Sequence, residues 1–288
     1  MKIIVIGANG QLGSDVAEAF ADAGDEVSSL THADLDVALA DPIAARMREI
    51  RPDVVINTAA MHHVENCEKD PALAFAVNGI GARNLAIAAK DVDAKLVHVS
   101  TDYVFDGAKD NPYVESDVPN PLNVYGNTKL AGEHFVRSMA DKHFVVRVSA
   151  IYGKKPCRAK AGLNFIELML KLARERGEVR VVDSEFVTPT STKEIAKQIV
   201  GLSRSDAYGL YHATAEGACS WHEFAKEIFS LTHTSVKLHV ARADEFPAKV
   251  PRPKYSVLEN KELKNRGLNV FRPWREGLQE YLFGNAGS

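Results

Sequence analysis

The chain has 288 residues, long enough to bury a full core as one large or two unequal domains. Its 35 Lys and Arg against 38 Asp and Glu give a formal net charge of −3, so electrostatics offers no reason to expect a nucleic acid or an anionic membrane as partner. Cys67, Cys157 and Cys219 are scattered, odd in number and in no metal-ligand spacing, which reads as free thiols in a reducing compartment.

The first predicted element is Lys2-Ile-Ile-Val-Ile6, a short apolar run rich in β-branched residues. It leads into Gly7-Ala-Asn-Gly10-Gln-Leu-Gly13 and then an amphipathic stretch, Asp15 to Ala23. Strand, glycine turn and helix in that order suit a dinucleotide phosphate. Gly7 permits the tight turn, Gly10 lets the backbone approach a pyrophosphate, and Gly13 lets the helix pack close to the strand. The spacing is Gly-x-x-Gly-x-x-Gly rather than the Gly-x-Gly-x-x-Gly fingerprint, and glycines also mark ordinary strand-to-helix turns.

Further strand-like runs follow at 26–30, 53–57, 95–99, 144–148, 179–182 and 209–212, and helix-like segments separate most of them, at 42–49, 71–90, 129–139 and 193–202. This alternation predicts an α/β fold, a Rossmann-like, doubly wound parallel sheet that binds ligands at the carboxyl ends of its strands. Residues 1–150 are expected to form the nucleotide-binding domain, with the sheet completed by about 179–213. Residues 151–178 and 214–288 then make a smaller C-terminal substrate domain. No apolar run has membrane-span length, and the first strand leaves no room for a signal sequence, so the cytoplasm is the expected location.

Chemistry-bearing residues fall after the strands. Asn57-Thr-Ala-Ala60 places small residues where backbone could pass close to a cofactor. Ser100-Thr101-Asp102 puts hydroxyls where one could donate to a carbonyl oxygen, although the same triplet also suits a polar strand-end turn. Asn123-Val-Tyr125-Gly-Asn-Thr-Lys129 sets a phenol one helical turn from an ammonium. A free tyrosine titrates near pH 10, and a neighbouring cation lowers that value, so the pair reads as a proton donor for a carbonyl. The spacing is common, and taken by itself it reads better as a solvated helix face carrying both residues by chance.

Together with Val99-Ser-Thr-Asp-Tyr-Val-Phe-Asp-Gly107, Asn120 to Glu133 and Gly209-Leu-Tyr-His-Ala213, these segments resemble the extended short-chain dehydrogenase/reductases, and more narrowly the dTDP-4-dehydrorhamnose reductases. The resemblance runs through nearly the whole chain. It implies nicotinamide-dependent reduction of the 4-keto group of a dTDP-6-deoxy-hexose. It also implies Thr101, Tyr125 and Lys129 as catalytic residues, with Tyr125 and Lys129 again at the nicotinamide ribose. Cofactor contacts are expected from Gly7, Asn9, Gly10, Gln11, Leu12, Gly13, Ala59 and Ala60. Thr31, His32, Asp34 and Leu35 are expected around the adenosine, although an acidic turn accounts equally well for the aspartate. No acid stands at the end of the second strand, which favours NADP(H) with NAD(H) tolerated.

Expected substrate contacts are His62, Asp102, Tyr103, Asn164 and Arg252, the last for the diphosphate. Two departures from the family pattern concern the pocket. Ala150 stands where the family has a tryptophan platform, and His62 stands where it has a threonine. Trp221 is expected in the core, and Lys154, Lys155 and Arg158 form a basic loop, either solvated or meeting the diphosphate. His62, His63, Glu65 and Glu68 lack ligand spacing, so no metal is expected. Some family members are described with magnesium at a dimer contact, which no residue set here demands. The expected partner is a nucleotide-sugar substrate, with an isologous homodimer as the base-rate assembly. Two other uses of the fold stay open: a non-catalytic NADP-binding regulatory subunit and a nucleotide-sugar epimerase.

Overall fold

Ile3, Ile4, Val5 and Ile6 are each at most 1% exposed, as a strand covered on both faces requires. In the computed structural model, which describes residues 1–156, 162–241 and 250–284, this run is strand β1 (Lys2–Ile6). It lies within a six-stranded parallel sheet with β2 (Glu26–Leu30), β3 (Val54–Asn57), β4 (Lys95–Thr101), β5 (His143–Val148) and a last strand, Gly209–His212. The spatial order is Gly209–His212, β5, β4, β3, β1, β2. The chain passes from β1 to β2 on one flank and returns to lay β3 on the other. The crevice between β1 and β3, beyond their carboxyl ends, is therefore the topological switch point.

Alternation along the strands divides the core into two layers. Ile3, Val5, Val54, Ile56 and Val97 face helix α1 (Gln11–Asp22) and the helix Thr192–Ser203, meeting Val16, Phe20, Ile195 and Ile199. Ile4, Ile6, Val55 and Leu96 face the opposite layer, with Ile43, Met47, Leu85 and Ala86. A third cluster joins Ile166, Met169, Phe224, Ile228, Trp274 and Leu278 from the helices Phe165–Arg176, Trp221–Leu231 and Trp274–Phe283. Two of these helices begin with capping boxes, on Asn164 and Ser220.

Two sequence expectations change. The run 179–182 is a strand (Glu178–Val182), but it pairs with Lys237–Ala241 in a separate two-stranded sheet; of the 179–213 segment only Gly209–His212 joins the large sheet. Val179 and Val181 are buried while Arg180 between them is exposed, the one-sided pattern of a strand with a solvated face rather than of a doubly covered one. The helical run 71–91, continued through a π-turn at Ala76–Ile80, is long and apolar enough by composition to cross a membrane, with mean hydropathy 1.3. Over half of that stretch is buried within the protein, where Leu85, Ala86 and Ala89 pack on the sheet.

Candidate active site

The glycine turn is held by close backbone approach. Gly7 has φ +79°, and a Cβ there would lie 2.8 Å from the Thr58 hydroxyl; at Gly13 it would meet the Gly7 carbonyl and lie 2.7 Å from Thr58 Oγ1. Gly10 is different, since a Cβ on it would touch only the Gly7 carbonyl, at 3.3 Å. Gly10 caps α1 without a side-chain hydrogen bond, and no acid occupies the first turn. The free N–H groups there form an anion site. A pyrophosphate fits this cradle, because the one glycine facing away from the strand is the one that leaves the helix start open.

From there a cavity of about 340 Å³ runs past the ends of β3, β4 and β5 to the third cluster. Gly10, Gln11, Leu12, Gly13 and Ala60 line it, as do Thr101, Asp102, Tyr103, Tyr125, Lys129, His62, Asn164 and Arg252. Gly7, Asn9 and Ala59 lie beside the cradle without lining the cavity. The four adenosine candidates stand apart. Thr31 gives its hydroxyl proton to Asp34 Oδ2 at 2.7 Å and its N–H to the same oxygen at 2.8 Å. These bonds hold the Asp34 carboxyl below its ordinary range. Leu35 is 4% exposed and belongs to the core, and His32 is exposed.

Tyr125 lies in the first turn of a helix, Val124–Met139, that begins five residues before the expected start. Asn123 caps it, accepting from the Gly126 N–H at 2.9 Å. Gly126 is required because a Cβ there would collide with the Tyr103 carbonyl. One turn on, Lys129 is 2% exposed and donates from Nζ to the Val99 carbonyl at 2.6 Å. Burial pushes the ammonium down to about 8, against the pull of Glu133. The expected depression of the phenol is reversed: burial raises Tyr125 above its ordinary value, Asp102 and Tyr103 add to that, and only the adjacent Thr101 hydroxyl lowers it.

Asp102 is 4% exposed. Thr101 donates to its Oδ1 at 2.9 Å and Ser149 to its Oδ2 at 2.8 Å. Burial raises this carboxyl, opposed by Ser256, Ser149 and Thr101. Asp102 lines the cavity with one oxygen bonded to Thr101 and the other to Ser149. Ser149 and Ser256 went unnoticed in the sequence; Ser149 does follow β5, the position where ligand-facing residues are sought.

Tyr103 packs edge-on against the Tyr125 ring, centroids 5.8 Å apart. Asn164 is 3% exposed, donating to the Gly153 carbonyl at 3.1 Å and to the Tyr281 hydroxyl at 2.8 Å while accepting the Glu167 N–H. It is a helix cap that shapes the wall. Lys154 donates to the Tyr281 carbonyl at 2.5 Å, away from the cavity; Arg158, Cys157 and Lys249 lie outside the described residues. Among the described residues no group of three or more His, Cys, Asp or Glu is placed to hold a metal.

Ala150 lines the cavity with φ +44°, a strained conformation for a residue with a Cβ. The aromatic surface expected to be missing there comes from elsewhere: Phe165 and Trp221, ring centroids 4.6 Å apart, line the same cavity with Phe224. Trp221 is thus a wall residue as well as a packing one.

Residues 1–285 match the family model described as RmlD substrate binding domain. The chain belongs to this family. Among solved members, a dTDP-4-dehydrorhamnose reductase from Clostridium acetobutylicum ATCC 824 is 41% identical with a TM-score of 0.93, covering 98% of both chains. The enzyme of the same description from Bacillus anthracis str. Ames, solved in complex with NADP, is 38% identical with a TM-score of 0.93 and 98% coverage of each. The dTDP-4-keto-6-deoxy-D-glucose reductase of Streptomyces niveus is 36% identical over 96% of this chain and 95% of its own. Membership extends over the sheet and the helical cluster alike, so the RmlD fold accounts for both walls of the cavity.

Proposed function

We propose that this protein is a cytoplasmic NADPH-dependent reductase of the 4-keto group of dTDP-4-dehydro-L-rhamnose, forming dTDP-L-rhamnose. The observation that carries the reading is that one cavity joins the glycine cradle of α1 to Thr101, Tyr125 and Lys129. Gly10, Gln11, Leu12 and Gly13 would hold the cofactor diphosphate, and Tyr125 and Lys129 its nicotinamide ribose. Reduced nicotinamide, when bound, supplies two electrons and a hydrogen nucleus to the sugar carbonyl carbon.

Tyr125 supplies the proton for the sugar oxygen, and general-acid help of this kind contributes about 10²–10⁴ in rate. Its raised pKa keeps the phenol protonated at neutral pH. Lys129, charged below about pH 8, stabilises the phenolate left behind once a ribose hydroxyl draws it off the Val99 carbonyl. Arg252, beside Pro253 on the opposite wall, would take the sugar-nucleotide diphosphate, and Phe165 with Trp221 offers an aromatic face. The strand β2 ends Ser28-Ser-Leu30-Thr-His32 with no acid at its end, which favours NADPH, with NADH tolerated. Residues 1–150 and Gly209–His212 would serve the cofactor, the third cluster the substrate, and an isologous homodimer is the proposed assembly.

A second reading has a specific observation behind it: Ala150 and His62 alter the sugar side of the cavity, and a relative 36% identical is a dTDP-4-keto-6-deoxy-D-glucose reductase. The test mixes the protein with NADPH and dTDP-4-dehydro-L-rhamnose and follows nicotinamide absorbance and sugar products. Loss of absorbance with dTDP-L-rhamnose supports the reductase. Turnover only on dTDP-4-keto-6-deoxy-D-glucose supports the second reading. Interconversion without net oxidation would mean an epimerase, and NADP binding without turnover a regulatory subunit.

A further inference from the structure

We propose that Asn123 is a positioning residue that sets the span between Tyr125 and Arg252, by joining the start of the catalytic helix to the segment that carries the arginine. The proposal rests on the reductase reading, in which Tyr125 gives the proton and Arg252 takes the sugar-nucleotide diphosphate. Asn123 is buried, 5% exposed, and the two polar atoms of its side chain serve different elements. Oδ1 accepts the Gly126 N–H at 2.9 Å and so caps the helix Val124–Met139. Nδ2 donates to the Pro251 carbonyl at 2.9 Å, across 128 positions of the chain. An amide carries both a donor and an acceptor, and only this way round satisfies both neighbours.

Three elements meet at this point. The helix Val64–Lys69 contributes Glu68, whose Oε1 accepts the Val124 N–H at 2.7 Å, and Glu65, which accepts from Arg252 at 2.6 Å. Further along, the arginine's segment is held by backbone: the Phe186 N–H donates to the Lys254 carbonyl at 2.8 Å, and the Ser256 N–H to the Phe186 carbonyl at 2.9 Å. Glu65 holds the guanidinium itself, which is the group a diphosphate would take. Asn123 instead holds the backbone at the residue before Arg252, so its grip survives when the guanidinium changes partner. Tyr125 follows Asn123 by two positions on the same helix start. One side-chain amide therefore sets how far a bound diphosphate lies from the phenol, and hence where the keto oxygen comes to rest relative to the proton it receives.

Calorimetric titration with dTDP tests the role without turnover. Asn123→Asp and Asn123→Ser both keep an oxygen that can cap the helix. The aspartate has no proton to give the Pro251 carbonyl, and the serine is too short to reach it. Each variant should bind dTDP about fivefold or more weakly, the size of one lost hydrogen bond, and its KM for the sugar nucleotide should rise in step. The NADPH Kd and the melting temperature should stay near wild type, which a merely structural role would not allow. In an Arg252→Ala background the same substitutions should change dTDP affinity by less than about twofold, because the tether acts through the arginine. Losses that add to that of Arg252→Ala would overturn the role, as would wild-type affinity in both variants. So would weakening by the aspartate alone, which would assign the effect to its charge. Failure of the wild-type protein to reduce any dTDP-4-keto sugar would overturn the reductase reading itself, a result read from turnover and not from the titration.

Discussion

Arg252 donates to Glu65 across 2.6 Å, joining the segment before Ser256 to the helix that follows β3, and both residues line the same cavity. The Arg252 Nε has no partner among the described residues. Its terminal nitrogen holds the carboxylate, which, despite burial, is drawn below its ordinary range by its own backbone and by Arg252. An incoming diphosphate meets a guanidinium already paired, and competes with Glu65 for it.

Removing each partner should therefore have opposite effects on substrate affinity. Arg252→Ala is expected to raise KM for the dTDP sugar by about tenfold or more, since a charge-assisted, two-pronged contact is lost. Glu65→Gln should lower it severalfold. Calorimetric titration with dTDP reads both changes without turnover, and equal affinities for the three proteins would remove Arg252 from the diphosphate site.

Tyr125→Phe should lower kcat by about 10²–10⁴ while NADPH binding stays intact; a fully active Phe variant removes the proposed mechanism. Lys129 gives a separate signature through stability. Its value falls from 10.5 to about 8 on burial. Below pH 8 it is charged in both states and burial of the charge costs stability. Between about 8 and 10.5 the unfolded chain keeps a proton that the folded protein has released, so stability from this residue rises with pH. Lys129→Met is expected to melt several degrees higher at pH 7, the gap closing toward pH 10.5, and to lose turnover. Melting curves across that range check it.

The two inner glycines separate folding from binding. Gly13→Ala forces its Cβ against the Gly7 carbonyl and Thr58, so its melting temperature should drop along with cofactor affinity. Gly10→Ala meets a single tight contact, 3.3 Å to the Gly7 carbonyl, and should melt far closer to wild type than Gly13→Ala while NADPH binding weakens, about tenfold, as the methyl enters the phosphate cradle. Thermal melts and fluorescence titration of NADPH distinguish the two.

Under the site, Arg147 and Glu133 pair at 2.6 Å with each side chain 1% exposed, and Ser100 donates to the same carboxylate at 2.5 Å. Glu133→Gln leaves a buried guanidinium without its counter-charge. A loss of about 3–5 kcal/mol in urea unfolding is expected. A change under 1 kcal/mol would show the pair to be dispensable.

The parts legible in the sequence share one property: they are local. Strand and helix periods, the turn of Gly7 to Gly13 and the one-turn spacing of Tyr125 and Lys129 each depend on residues within a few positions of one another, and all are present in the structure. The strand at 178–182 was legible as a strand but not by its partner, because pairing is decided by which face finds cover.

What only the tertiary structure decided lies between distant residues. Ser149 reaches Asp102 across 47 positions and Arg252 reaches Glu65 across 187; no spacing rule spans such intervals. The same holds for the aromatic wall of Phe165 and Trp221 near Ala150. Tyr125 and Lys129 show the division in one pair. Their separation along a helix follows from the chain alone, whereas the direction in which their pKa values move follows from burial, from Thr101 and Asp102 beside Tyr125, and from Glu133 beside Lys129, which packing brings together.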